Sequence, residues 1–239
     1  MLNLSGRAFR GVEQFMSNRL VSLRWAQYLL ALLWCVPFFA PAQAQAKPAP
    51  YEQVIMDATQ RLIDGLRQQH EAIKKDPQIA YRLVENTVLP HLDFDRIARW
   101  VLGKHWRTAT PEQRKAFTCE FTAFLTRTYV TTMVTYTDDI ITNASGLSYP
   151  PGNKQLSDDQ AQVRARLSLT NGKTVEVVYT LTNASGAWKV YDLAIEGISL
   201  AITYRTTFSS EIAKRGLDGL IAHLAQRNRE DDPLKKTDL

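Results

Sequence analysis

The sequence predicts an α+β domain, on three observations. Apolar residues recur at helical spacing from Val54 to Tyr136, then switch to alternation between Val163 and Leu181, and a last helical pattern closes the chain. The "NG" pair, Asn171–Gly172, joins two alternating runs as a two-residue hairpin turn would. "TPEQ", Thr110 to Gln113, is a capping box at the head of a long helix. Helices, a sheet and helices again give an antiparallel sheet of about four strands packed against several helices.

The first 46 residues are set aside. Arg19 and Arg24 precede the apolar run Trp25 to Ala40, and Ala44 and Ala46 follow as a small-x-small site. Basic region, apolar region and small residues make a secretory signal peptide cleaved before Lys47. Pro37 interrupts the run, which is short for a membrane span. Trp34 occupies the place where a lipoprotein signal needs a small residue, so Cys35 is not read as an anchor. Met16 is an alternative start.

The sequence carries net charge +5, but residues 1–46 hold four arginines and one acid, and without them 25 basic and 23 acidic residues leave +2. This balance gives no argument for a nucleic-acid partner. Cys119 is then the single cysteine, expected as a small buried residue, and no internal disulfide forms. About 190 residues suffice for one core.

Each element has a local signature. Val54, Ile55, Ala58, Leu62, Leu66 and Ile73 mark the first helix, and Asp76–Pro77 starts the second, striped by Ile79, Leu83, Val84 and Val88 and stopped at Pro90. Asp93 caps a third helix carrying Phe94, Ile97, Val101 and Leu102, which Gly103 ends. The long helix from Pro111 to about Tyr136 presents Phe117, Phe121, Phe124, Leu125, Tyr129, Met133 and Tyr136. "IITNA" from Ile140 reads as a first strand, and Leu147 to Asp159 as a surface loop. "QVRARLSLT" and "TVEVVYTLT" alternate cleanly, with Val175, Val177, Tyr179 and Leu181 on one face, and "AWKVYDLAIE" is the fourth strand. "EGISLAITYRTTF" fits both periods. Gly197 as a turn and Ser199 as a cap favour a helix from about Ser199. Leu217, Leu220, Ile221 and Leu224 define the last helix, and residues 229–239 read as a charged, disordered tail.

Catalytic signatures are missing. His70, His91, His105 and His223 are scattered, and there is no metal-ligand spacing, nucleophile elbow or phosphate loop. Arg205 reads as a salt-bridge partner of Glu196 or Asp192, with contact to an anionic ligand as the alternative. What stands out is apolar surface on the long helix, the sheet face and the "EGIS" stretch. It fills either a core or a cavity able to take acyl chains, and periodicity does not separate the two.

Four segments, "VLPHLDFDRIARWVLGKHW", "ATPEQRKAFTCEFTAFLTRTY", "AWKVYDLAIEGISL" and "KRGLDGLIAHL", together resemble the MlaC or toluene-tolerance family over Tyr51 to Leu224. The resemblance implies a periplasmic, monomeric, non-enzymatic carrier, residues 47–228, without cofactor or metal. It implies an apolar pocket holding phospholipid as cargo, and shuttling between an outer-membrane lipoprotein complex and an inner-membrane ABC transporter complex. On that reading Tyr129 and Ile198 line the pocket, with Val177, Tyr179, Leu181 and Ile195 from the sheet, Phe121, Leu125 and Met133 from the long helix, and Val101 and Ile202 beside them. Arg114 and Lys173 are candidates for partner docking. An enzyme working through a pocket acid or tyrosine, and an adaptor binding protein through the same cleft, are the competing classes.

Overall fold

The computed structural model describes residues 47–230; the expected signal peptide and the tail beyond Glu230 lie outside this range, and Arg229 and Glu230 continue the last helix. The elements run α1 (Pro50–Gln68), α2 (His70–Lys75), α3 (Gln78–Thr87), a 3-10 turn (Leu89–His91), α4 (Phe94–Leu102), α5 (Lys104–Thr108), α6 (Pro111–Thr135) and α7 (Thr137–Asn143). Strands β1 (Leu147–Ser148), β2 (Lys154–Ser157), β3 (Gln160–Ser168), β4 (Thr174–Thr182), β5 (Lys189–Ile195) and β6 (Ile198–Ser199) follow, then α8 (Leu200–Glu230).

The expected caps are in place. Asp93 Oδ1 accepts from Arg96 N–H at 3.0 Å, and Thr110 and Gln113 exchange bonds of 3.2 and 3.0 Å at the head of α6. Asp76 Oδ1 accepts from Gln78 N–H at 2.9 Å. These bonds satisfy backbone donors that a helix start leaves free. Gly103, at φ +54°, ends α4 in a conformation that strains an L side chain. Thr132 and Thr135 donate their hydroxyls to the carbonyls four residues back, which satisfies them inside a threonine-rich helix that runs on to Thr135. Tyr136 then falls outside the apolar face, 55% exposed.

The sheet is antiparallel in the order β1-β3-β4-β5-β6, with β2 also on β3. Val163, Ala165 and Ala161 oppose Tyr179, Val177 and Leu181, so the alternating residues share a face as their period requires. Two expectations are corrected here. "IITNA" is the helix α7 and a 3-10 turn, because Ile140 and Ile141 pack against the cluster of Leu66, Ile73, Ala80 and Val130, and a short apolar run fits either period. Its place at the edge of β3 is taken by β1 and β2, inside the expected loop. The β3–β4 turn has three residues, Thr170 to Gly172. Leu169 N–H bonds to Lys173 C=O, and Gly172 takes φ +81° as the bulge residue.

After β5, Glu196 and Gly197 both have positive φ, 50° and 77°, and return the chain into β6. Ser199 Oγ accepts from Ile202 N–H at 3.1 Å, so Ser199 caps α8 and the "EGIS" stretch is a strand end followed by a helix. Gly216 (φ 73°, ψ 172°) breaks α8. Its second half runs beside α6 in the same sense, tied by Gln113 to Asp218 at 2.8 Å and Asn228 to Glu120 at 2.7 Å.

Three buried clusters result. Phe117, Phe121, Phe208, Leu220 and Leu224 join α4, α6 and α8. Leu66, Ile73, Ala80, Leu83, Val84 and Val130 join α1, α2, α3 and α6. Ile55, Val163, Leu181 and Val190 join α1 to the sheet. Cys119 lies in none of them and is exposed, because it faces away from the Phe117–Phe121 side of α6.

Candidate functional site: an apolar cavity between helices and sheet

The clusters do not close on one another. Between them lies a cavity of about 410 Å³. α1 supplies Ile55, Ala58 and Leu62; α3 and the 3-10 turn supply Val84, Val88, Leu89 and Leu92; α4 supplies Phe94, Ile97 and Val101. The wall from α6 is Phe121, Leu125, Thr126, Tyr129, Val130 and Met133, residues three and four apart on one helix face. The sheet adds Tyr179, Val190, Tyr191, Asp192 and Leu193, and the first turns of α8 add Leu200, Ala201 and Tyr204.

The chain around Leu92 is fixed to the sheet. Leu92 bridges Val190, and Asp93 N–H donates to Val190 C=O at 2.9 Å. At the opposite corner Asp192 holds β5 to α8. It accepts from Leu193 N–H at 2.8 Å, Ser199 Oγ at 2.7 Å and Ala201 N–H at 3.1 Å. Both carboxylate oxygens are thereby engaged inside the fold, which makes Asp192 a joint between elements. Arg205 reaches neither Glu196 nor Asp192. Its guanidinium donates to Trp100 C=O through Nε at 2.8 Å and through Nη2, and lies 4.9 Å from the Trp100 ring. It closes the carbonyl end of α4, where a cation is favoured.

Three titratable groups of the lining, Tyr179, Tyr204 and His91, are pushed toward their neutral forms. Burial pushes the Tyr179 phenol up to about 12. Burial also pushes Tyr204 far up, reinforced by its hydrogen bond with Tyr129. Burial lowers His91, with nearby Arg61 acting in the same direction. Burial disfavours charge in each case. Tyr129, 42% exposed, is the one lining side chain that stands clearly open. Among the described residues no group of three His, Cys, Asp or Glu side chains is placed to hold a metal ion, and no helix is long and apolar enough to cross a membrane. A space walled mainly by apolar side chains, its one carboxylate, Asp192, hydrogen-bonded within the fold, can take up hydrocarbon.

Six of the eleven residues picked from the sequence stand on this wall: Val101, Phe121, Leu125, Tyr129, Met133 and Tyr179. The other five stand elsewhere. Leu181 is fully buried among Ile55, Val163 and Val190. Val177 pairs with Ile195 across the ladder, away from the cavity. Ile195, Ile198 and Ile202 are 38%, 64% and 54% exposed and do not stand on this wall. Ile198 pairs with Ile195, itself opposite Val177, so the three lie on the sheet face that carries Tyr179 but beyond the lining, to which the start of α8 contributes Leu200, Ala201 and Tyr204. Of the docking candidates, Arg114 is engaged at home: it donates to Trp106 C=O at 3.0 Å and lies over the Trp106 ring. Lys173 is exposed at the hairpin. Wall residues that sequence reasoning did not assign include Ile55, Leu92, Leu193 and Tyr191. The available signal was the apolar "VLPHL", where Pro90 halts a helix without ending the apolar run.

Comparison with known proteins follows the same outline. The profile of the family described as MlaC protein matches residues 56–226. The chain is 26% identical over 207 residues to the intermembrane phospholipid transport system binding protein MlaC of Haemophilus influenzae, covering 85% of this chain and 92% of that one. It is 30% identical over 191 residues to the toluene tolerance protein ttg2D of Pseudomonas putida, covering 80% and 83%. A phospholipid-binding protein from Ralstonia solanacearum, solved in complex with a phospholipid, superposes with a TM-score of 0.66 at 27% identity, over 77% of this chain and 99% of that one.

Proposed function

Because the chain belongs to the MlaC family, we propose that it is a phospholipid carrier which encloses acyl chain in the cavity between α6 and the sheet and moves lipid through the periplasm. It takes the lipid between an inner-membrane ABC transporter complex and an outer-membrane lipoprotein complex, and performs no chemistry on it. The wall residues Val101, Phe121, Leu125, Tyr129, Met133 and Tyr179 contact the chain.

The observation that carries this reading is the cavity itself: about 410 Å³, walled mainly by apolar side chains, with the Asp192 carboxylate hydrogen-bonded within the fold. An apolar cavity of about 150 Å³ admits the six carbons of benzene, so about 25 Å³ serves each carbon and this one holds on the order of 16. At about 0.8 kcal/mol per methylene, sheltering such a chain is worth roughly 13 kcal/mol. Free lipid crossing water would forgo that stabilisation. Contacts of this type are indifferent to headgroup, so one carrier serves several phospholipids.

The test is lipid extraction. The protein is mixed with vesicles of radiolabelled phosphatidylethanolamine, the vesicles are pelleted, and lipid in the supernatant is counted against protein. The wild type is expected to hold lipid in stoichiometric amount, and Leu125→Glu, folded by circular dichroism, to hold little. A wild type that extracts nothing, or a folded variant that carries as much as the wild type, overturns the proposal.

A further inference from the structure

Where the cavity lining stops, the apolar face of the sheet does not. Tyr179 and Leu193, opposite one another on β4 and β5, line the cavity. Two residues further along the same face stand Val177 and Ile195, and Ile198 of β6 pairs with Ile195. The head of α8 is divided in the same way. Leu200, Ala201 and Tyr204 line the cavity, while Ile202 is turned to solvent. Ile195, Ile198 and Ile202 make an exposed aliphatic patch that begins where the cavity wall ends. Adjoining exposed aliphatic side chains mark a surface that is covered in use.

The surroundings of the patch choose its occupant. Arg205 stands three residues after Ile202, on the same side of α8. Its guanidinium lies over the exposed Trp100 ring, so a cation and an indole flank the isoleucines. Lys173 is exposed at the β3–β4 turn, at the same end of the sheet. The acids of this end are engaged within the fold. Glu176 pairs with Arg164 and Arg166 at 3.5 and 3.3 Å, Glu196 accepts from Glu176 N–H, and Asp192 accepts from Leu193, Ser199 and Ala201. Aliphatic tips with an indole and cations beside them match the layers of a bilayer. The aliphatics suit hydrocarbon, the indole suits the headgroup level, and the cations suit lipid phosphates.

We propose that this patch is the surface by which the carrier touches a lipid bilayer. Ile195, Ile198 and Ile202 enter the edge of the hydrocarbon, Trp100 and Arg205 lie among the headgroups, and acyl chains pass between membrane and cavity along the shared sheet face without crossing water. The proposal rests on the phospholipid-carrier reading of the cavity and adds where lipid enters and leaves.

The test separates contact with a bilayer from capacity for lipid. Protein purified after export and stripped of lipid is offered radiolabelled phospholipid from two sources. One is vesicles of phosphatidylethanolamine and phosphatidylglycerol, and the other is detergent micelles, which deliver lipid without a bilayer. The double variant Ile198→Ser, Ile202→Ser removes aliphatic surface outside the lining and leaves the cavity wall as it is. It is expected to extract lipid from vesicles about tenfold more slowly than the wild type, while its uptake from micelles stays within about twofold. Extraction from vesicles at the wild-type rate overturns this proposal alone. So does an equal loss of uptake from micelles, which would put the two isoleucines in the binding site itself. A wild-type dimer in sedimentation that the double variant dissolves also overturns it, because the patch then joins two copies of the chain. A wild type that extracts nothing from vesicles overturns the carrier reading, and this proposal with it.

Discussion

Replacing Phe121 by alanine probes the seam between core and cavity. Phe121 is 1% exposed and yet lines the cavity. Its ring stacks on Phe117 at 5.3 Å and meets Tyr204 and Phe208 edge-on at 5.3 and 5.4 Å. Truncating a buried phenylalanine costs about 3–5 kcal/mol. If roughly 100 Å³ of side chain is lost and the space stays open, the void accounts for about 2.4 kcal/mol of this, at about 24 cal/mol per Å³. Because the void joins the cavity, a bound acyl chain can occupy it. Urea unfolding, read by circular dichroism, should therefore give a loss of about 3–5 kcal/mol without lipid and a loss smaller by about 1–2 kcal/mol when loaded. A loss below about 1 kcal/mol without lipid would refute the packing account. Equal losses in the two states would refute the continuity of Phe121 with the lipid space.

Asp192→Ala removes two hydrogen bonds that join β5 to the head of α8, from Ser199 and Ala201, and a third from its neighbour Leu193, and a loss of at least about 1.5–3 kcal/mol in the same unfolding assay is expected; under about 0.5 kcal/mol means that Asp192 does not hold this joint. Gly103→Ala forces a side chain onto φ +54° with its Cβ 3.1 Å from Arg205 Nε, which should cost about 1–3 kcal/mol, and unchanged stability contradicts the strain argument. Tyr179 ionises near 10 when unfolded and near 12 when folded. Its contribution is complete below pH 10 and declines as pH rises to about 12, because only the unfolded chain releases the proton there. The decline is about 1.4 kcal/mol per pH unit. Tyr179→Phe should flatten that part of the stability profile, and an unaltered slope between pH 10 and 12 speaks against burial of the phenol.

The parts of this fold that could be read from sequence are those governed by local chemistry. Asp93, Thr110, Gly103 and Ser199 each stand where a short-range hydrogen bond or a positive φ requires that residue type, and each does so in the structure. The alternation of β3 and β4 was equally plain, since one buried face imposes its period. Ile140–Ile141 could not be decided locally: two apolar residues suit strand or helix, and contact with Leu66 and Ile73 settles it. The cavity is a matter of tertiary packing. Leu181 and Tyr179 share a strand face and both pack in the cluster around Ile55, Val163 and Val190, yet Leu181 is fully buried there while Tyr179 also borders the cavity. Ile198 lies on the sheet face of Val177 and Tyr179 but at the end of the ladder, 64% exposed and outside the lining, because how far a cavity extends along a face is set by packing, which apolar pattern does not encode.

The central claim is that the space between helices and sheet is built for lipid. Native mass spectrometry of the protein, purified without added lipid from cells in which it is exported, tests this most directly. The account predicts a folded chain carrying phospholipid in stoichiometric amount, released as intact lipid on activation and nearly absent from Leu125→Glu. A well-folded wild-type chain that emerges without lipid, and accepts none when offered vesicles, would contradict it.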